Sequence, residues 1–356
     1  MEKKVVRGAA AVMLALTILF SFVLLNFPDL HVFALQKQLE YSTRIGHGDS
    51  VLALMREETS VLMESSKTTK MLGQLRLELP GDIHEDDIAI ENHYIDQTVQ
   101  IKIPGIGESY FFDYPMIGSS DHIDDIIYEV ENDEGVIDIM LDQVYELDLT
   151  VQESYIYIDF IDPHERYDKI VVIDAGHGGS DPGAMKQKIS EKDIDLAIVR
   201  KMMALFEASD ANIGVYYTRT DDSNPSLEQR VQLANLLQAD LFLSVHNNST
   251  ASGRMSGIHG TEVMYRVSDE SGKSKAFAQN CLDALLWNLG SQSKGVVAGD
   301  EIYIVRTAQM PVALAEIGFM TNQEELDLLN SEEYQQRAAQ ALYDAMIKTL
   351  EDENGE

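Results

Sequence analysis

The chain is poor in cysteine and in positive charge, and each shortage excludes a class of function. Its single cysteine, Cys281, rules out an internal disulfide and a cysteine-rich zinc site. The segment Ala276-Phe277-Ala278-Gln279-Asn280-Cys281-Leu282 is an apolar stripe at helical spacing, so Cys281 reads as a packed core thiol. Lysine and arginine number 27 against 60 aspartates and glutamates, a formal net charge of -33. Nucleic acid is thereby excluded as a partner, because holding a phosphate backbone needs a positive footprint. The acidity favours solubility and gives no attraction towards anionic polymers. What is present is ample apolar material: 45% hydrophobic residues over 356 positions, enough for two domains and an extension.

The extension is N-terminal. Lys3, Lys4 and Arg7 precede an unbroken apolar stretch from Gly8 to Leu25, which Asn26, Pro28 and Asp29 stop. A positive flank before a run of bilayer length predicts a transmembrane helix with its basic end inside and everything later exported. Val32-Phe33-Ala34 supplies a small-residue cleavage site, so secretion after Ala34 is the other fate. The apolar core exceeds the usual signal length, which favours a retained anchor over residues 1–34. Residues 35–73 read as a spacer.

From Gln74 the texture changes. Leu75–Leu79, Thr98–Ile103, Val136–Leu141 and Tyr155–Phe160 alternate apolar with polar, which predicts strands with one wet face. Pro80-Gly81 and Pro104-Gly105 punctuate turns. Residues 74–162 are read as a small antiparallel β domain. Its His84, His93 and His122 sit among carboxylates and read as a solvated acidic face rather than a metal site.

After the linker Asp162–Tyr167, residues 168–353 alternate short aliphatic runs with helical patterns at 191–208, 226–237, 275–289 and 332–350. Apolar runs read as strands lie at 169–177, 214–219, 240–246, 260–265 and 311–316. This is an α/β domain with a mainly parallel sheet flanked by helices. Ser190, followed by Glu191 and Asp193, is the expected N-cap of the first helix. Three of the runs lead to a residue able to hold a metal or move a proton: His177, His246 and Glu316. In such sheets ligands sit outside the carboxyl ends of the strands, which places all three along one rim.

A catalytic zinc takes three His or Asp/Glu ligands and leaves a position for water. His177 lies in Gly176-His177-Gly178-Gly179, where glycines allow a tight turn, and His246 closes Ser244-Val245-His246-Asn247-Asn248. Glu191 is placed to be the third ligand. The glycine turn is otherwise a turn with an incidental histidine; no Gly-Lys-Ser/Thr follows, so it is not a phosphate loop. Glu316 is either a neutral buried carboxyl or a general base poised by burial.

Val172-Ile173-Asp174-Ala175-Gly176-His177-Gly178-Gly179, with Asp181-Pro182-Gly183-Ala184 and Glu191-Lys192, resembles the opening of the zinc-dependent N-acetylmuramoyl-L-alanine amidases of the amidase-3 type, which are bacterial cell-wall hydrolases. The likeness continues through Thr218-Arg219, Leu227, Arg230, Ala234-Asn235, Ser244–Asn248, Gly260-Thr261-Glu262 and Glu316-Ile317-Gly318-Phe319. It spans about residues 169–350. The resemblance implies that His177, Glu191 and His246 ligate Zn2+, and that Glu316 is the catalytic carboxylate. It further implies that peptidoglycan is cleaved between N-acetylmuramic acid and L-alanine.

Within the likeness, Arg219 and Arg230 read as structural ion-pair partners, and Asn248 as a contact to glycan or peptide. Asn247 departs from the small residue expected after the ligand histidine. Some relatives carry an inserted helix that blocks the site until a protein activator binds. The stretch from Tyr265 to Glu316 has room for one helix and short loops, so an open site is expected. A non-catalytic wall-binding protein and a zinc peptidase acting on stem peptides are the alternative functions.

Overall fold

A computed structural model of the chain describes residues 73–354 other than 82, 115, 119, 120 and 153. The predicted membrane segment and all but the last residue of the spacer lie outside the described residues. Among those described, no helix is long and apolar enough to cross a membrane. The described residues form two compact units, one ending at Ile161, the other running from Asp162 and including residues 94–96.

The first unit holds β1 (Leu75–Glu78), β2 (Ala89–His93), β3 (Thr98–Pro104), a helical turn α1 (Tyr110–Asp113), β4 (Ile117–Gly118), β5 (Ile123–Glu131), β6 (Glu134–Leu141), β7 (Glu146–Gln152) and β8 (Tyr155–Ile161). They make two antiparallel sheets, ordered β4-β1-β8-β7 and β2-β3-β6-β5. Alternation puts Val99, Ile101 and Ile103 of one sheet and Leu75, Leu77, Ile156 and Ile158 of the other into one core. Strands β2, β5 and β7 escape the period-two reading for local reasons. β2 buries no residue, and β5 carries a register shift between Ile123 and Asp125 that breaks its phase. His93 Nε2 lies 3.4 Å from Glu91 Oε2 and His122 Nδ1 2.9 Å from the Tyr145 hydroxyl. Neither histidine, nor His84, belongs to a metal-capable cluster among the described residues.

The second unit runs α2 (Pro163–Arg166), β9 (Lys169–Ala175), β10 (Met185–Lys186), β11 (Ile189–Ser190), α3 (Glu191–Glu207), β12 (Ile213–Tyr217), α4 (Leu227–Leu236), β13 (Leu241–Asn248), β14 (Thr261–Tyr265), α5 (Lys273–Leu289), β15 (Ser293–Ala298), α6 (Tyr303–Thr307), β16 (Val312–Phe319), α7 (Gln323–Leu329) and α8 (Glu332–Asn354). Its six-stranded sheet is ordered β12-β9-β13-β16-β14-β15. β12, β9, β13 and β16 are parallel, and β14 pairs antiparallel to β16 and parallel to β15. The sheet is thus mainly parallel but mixed.

The runs that look uniformly apolar divide between two faces. Val171, Ile173 and Ala175, Leu241, Leu243 and Val245, and Ala313, Ala315 and Ile317 join α3, α5 and α8 in one core that also buries Cys281. Their alternates therefore share the opposite face: Asp174, Ser244, His246 and Glu316. Two corrections concern length. β16 continues to Phe319 and β13 to Asn248, so Glu316 and His246 lie within strands rather than closing them. The span between Tyr265 and Glu316 holds α5, β15 and α6, not one helix; five-residue α6 is too short to display a helical period. Ser190 takes the extended N-cap backbone but makes no cap; its hydroxyl bonds to Asp193.

Glu325 braces the far end of β16. Its buried carboxylate accepts from Gly260 N at 2.9 Å and Phe319 N at 2.7 Å, tying the entry to β14 to the exit from β16. Glu325→Ala should strand both main-chain donors. Bonds to charged groups are worth about 1.5–3 kcal/mol each, with partial relaxation expected, so about 2–4 kcal/mol should be lost in denaturant unfolding of this unit. An unchanged midpoint would mean the brace is dispensable.

Candidate metal centre

The loop after β9 is built to present one imidazole. His177 adopts φ +59°, a left-handed conformation that a β-carbon disfavours. A bridge between Gly178 and Asp181 folds the loop back, with N–H···O distances of 3.0 and 2.9 Å. Its carbonyls are then fastened from below. Arg219 donates to Ala175 O and Gly176 O at 2.9 and 2.6 Å, and Arg230 to Ala175 O and His177 O at 2.7 and 2.6 Å. Both guanidiniums are buried and occupied by the scaffold, with Arg230 also 2.7 Å from Asp174. Asp174 is wholly buried, which by itself would raise its pKa. The Arg230 charge, with hydrogen bonds from Ser244 and Thr218, outweighs that and holds it below the usual carboxylate range.

Onto this frame the predicted ligands converge. Glu191 starts α3, where the helix N-terminus favours a negative charge. Its Oε1 lies 3.1 Å from His177 Nε2 and 3.2 Å from His246 Nδ1. The two rings stand edge-to-face, centroids 4.9 Å apart. Main-chain donors orient the carboxylate, Asn247 N to Oε1 at 3.1 Å and Ala184 N to Oε2 at 2.8 Å. Burial would raise the Glu191 pKa, but the bonds from His177 and His246 and their charges hold it far below normal. Burial likewise opposes charge on His177; the bond and charge of Glu191, then those of Asp181, win and raise it to about 9.

These donors fit a small divalent cation. Tetrahedral zinc with bonds of about 2.0–2.1 Å spaces its ligand atoms roughly 3.3 Å apart, close to the two distances from Glu191 Oε1. Asp181 supports the set, accepting from His177 Nδ1 at 2.8 Å. Such a carboxylate fixes the tautomer and leaves Nε2 for the metal. Two glycines stand where a side chain would collide. A Cβ on Gly176 would come 2.3 Å from His246 Cε1, and one on Gly183 2.6 Å from Glu191 Oε2.

Sequence reasoning missed Asp195. It lies one helical turn beyond Glu191, so their side chains share a face of α3, and its carboxylate joins the group of ligand atoms within 4.8 Å. It is fully buried and accepts from Asn247 Nδ2 at 2.7 Å, and among the described residues none donates to its Oδ2. Burial and the Glu191 charge push its pKa well above normal. In Glu191-Lys192-Asp193-Ile194-Asp195 it reads as one more surface charge, and the only signal is its spacing from Glu191.

Glu316 sits opposite His246 in strand register. Both line a cavity of about 310 Å³ with His177, Glu191, Asn248, Ile302, Ile304 and Leu314. Among the described residues, none donates a hydrogen bond to Glu316 Oε2. Burial first, opposed by His246 and reinforced by the charges of Glu191 and Glu262, pushes Glu316 up to about 7. Asn248 reaches the cavity wall, while Arg219 and Arg230 do not line it.

Two outcomes follow from this geometry. Removing a carboxylate that orients a ligand histidine typically costs 10–100-fold in metal affinity, so Asp181→Ala should weaken zinc binding by about that factor in a chelator competition. Unaltered affinity would leave Asp181 no orienting role. Glu316 predicts a pH effect on the metal-free protein. Its carboxyl rises from an ordinary 4.5 to about 7, so the folded chain binds that proton more tightly than the unfolded one. Stability is therefore lost as pH climbs from about 4.5 to 7, by up to about 3 kcal/mol from this group. Metal-free Glu316→Gln should melt above the parent at pH 8, with the gap narrowing towards pH 5. A gap independent of pH would contradict the buried, unpartnered carboxyl.

The chain was compared with known proteins. Residues 171–348 match the family model described as N-acetylmuramoyl-L-alanine amidase. An uncharacterized protein of Bacillus subtilis (strain 168), YqiI, is 40% identical over 174 residues, which are 49% of this chain and 81% of that protein. The N-acetylmuramoyl-L-alanine amidase LytC of the same strain is 34% identical over 177 residues, 50% of this chain but 34% of LytC. Among solved structures, the catalytic domain of CwlV, an N-acetylmuramoyl-L-alanine amidase from Bacillus (Paenibacillus) polymyxa var. colistinus, is 33% identical with a TM-score of 0.47, covering 51% of this chain and 98% of that domain. The matched span contains His177, Glu191, His246 and Glu316 together, and by it the chain belongs to the N-acetylmuramoyl-L-alanine amidase family, a family of enzymes.

Proposed function

We propose that the second unit is a zinc-dependent N-acetylmuramoyl-L-alanine amidase, hydrolysing the amide between N-acetylmuramic acid and L-alanine in peptidoglycan. The observation that carries this reading is one cavity holding both a converged His177–Glu191–His246 donor set and a buried carboxyl, Glu316, without a donor of its own. His177, Glu191 and His246 would hold the ion. Zinc, when bound, supplies Lewis acidity that polarises a carbonyl and acidifies water.

The remaining work falls to the protein. Glu316, buried and facing the same cavity as the three donors, is placed to take a proton as a general base. The same carboxyl can hand that proton to the departing amine. Asp181 keeps His177 in the tautomer that offers Nε2, and Asn247 N keeps Glu191 turned towards the histidines. Ile302, Ile304 and Leu314 give the cavity an apolar wall that limits water. Asn248 is read as a substrate contact.

The basic residues and apolar run of residues 1–34 support export, with the enzyme held at the outer face of the membrane or released after Ala34. Cell-wall remodelling or daughter-cell separation is the matching role.

Digestion of purified peptidoglycan tests the reading. Free stem peptides are expected; shortened stems would make the chain a peptidase, and no products a binding protein. Glu316→Gln should keep zinc while turnover falls about 10²–10⁴-fold, the usual worth of general acid–base catalysis. Glu191→Gln should lose metal, because a neutral amide replaces an anionic ligand. Near-parental turnover in Glu316→Gln would end the assignment of Glu316 as the base.

A further inference from the structure

Two carboxamides line the cavity, and each has its direction set from outside it, Asn247 by Asp195 and Asn248 by Glu262. Asn248 lines the cavity, and its Nδ2 donates to Glu262 Oε1 at 2.7 Å. An ionised carboxylate accepts and cannot donate, so the NH2 end of the amide must face Glu262. Among the described residues no hydrogen bond is made to its Oδ1, the end of the amide turned away from Glu262. Strand pairing explains why a carboxylate stands there. Glu262 on antiparallel β14 lies opposite Glu316, which lies opposite His246 on β13. The three side chains form a row across three strands on the face away from α3, α5 and α8. The register shift between His246 and Asn248 lets β13 leave that row, and Asn248 bonds to its far end. Glu262 does not itself line the cavity.

We propose that Asn248 Oδ1 accepts an N–H from the substrate, and that Glu262 is the positioning residue that keeps the acceptor facing it. This rests on the amidase reading and deepens it: the subsite selects secondary amides by their N–H. An isosteric ester would set two acceptors against each other, leaving both unpaired. Both the stem peptide and the acetamido group of the sugar carry such an N–H.

A donor–acceptor swap tests the arrangement, with kcat and KM measured on a muramoyl-peptide and zinc content measured alongside. Asn248→Asp faces one carboxylate with another, and Glu262→Gln frees the Asn248 amide to turn either way. Each should lower kcat/KM, the former about 10-fold or more, with zinc retained. Combined, the two substitutions reverse the bond: the new glutamine amide donates, and the new aspartate keeps one oxygen for the cavity. The double variant should recover to within a few-fold of the parent, which a merely structural contact would not require. A double variant no better than the worse single one would overturn the proposal. So would Asn248→Ala with parental kcat/KM and full zinc.

Repeating Asn248→Ala on a lactyl-peptide without the sugar separates the two sources. A persisting defect assigns the N–H to the peptide, and a vanished defect assigns it to the acetamido group. If the parent releases no free stem peptides, the amidase reading itself fails; if it does and the swap gives no rescue, only the subsite proposal fails.

Discussion

Glu191 Oε1 is the atom on which the catalytic unit is centred. Two imidazoles and the main-chain N–H of Asn247 approach it, and Ala184 N holds the other oxygen. A carboxylate this buried is unfavourable unless its charge is met. The fold meets it with the N-terminus of α3 and with two histidines, one from the loop after β9 and one from within β13. Each histidine in turn is held by something distant from the centre: His177 by its loop and Asp181, His246 by β13. A metal ion would replace protons in an arrangement already shaped for positive charge, which is why ligand binding and protonation must be coupled here.

The scaffold beneath the centre uses a second buried charge in a different way. Asp174 and Arg230 form an ion pair from which water is excluded, completed by Thr218 and Ser244. Replacing either partner alone would strand the other charge, the costly way to break a buried pair. Other donors of Arg230 and Arg219 cap carbonyls of Ala175, Gly176 and His177 at the exit from β9. These arginines lie in the likeness to the amidases for a structural reason: without them the turn bearing His177 would have unsatisfied buried carbonyls.

Face segregation separates chemistry from stability. Alternate residues of β9, β13 and β16 enter an aliphatic core with three helices, and their neighbours Asp174, Ser244, His246 and Glu316 face the centre. Glu316 can therefore stay unpartnered, because the packing of Ala315 and Ile317 on the other side holds its strand. Asp195 and Asn247 occupy the same boundary. Their mutual hydrogen bond ties α3 to β13 just behind Glu191, so the spacing between the ligands is set by a contact between two polar side chains. That contact also gives Asn247 a reason to be an asparagine where a small residue was expected.

Much of this was legible in the chain. The aliphatic runs marked an α/β unit, because strand and helix periods are local properties of sequence, and the glycine turn with His177, Glu191, His246 and Glu316 marked the candidate metal centre. The alternation at Thr98–Ile103 and Tyr155–Phe160 marked the β unit for the same reason. Strands with a register shift or no buried residue, such as β5 and β2, left no period to detect. The direction of β14 was not legible, since a strand's hydrophobic pattern is the same read either way. Nor were the roles of Asp195, which nothing in the sequence singled out, and of Glu262, quoted only within the likeness, until burial and cross-strand register put one behind Glu191 and the other against Asn248. Sequence by itself determined which groups could do the chemistry. The tertiary structure decided which of them are desolvated and which partners they meet, because pKa and hydrogen-bond direction depend on neighbours distant in the chain.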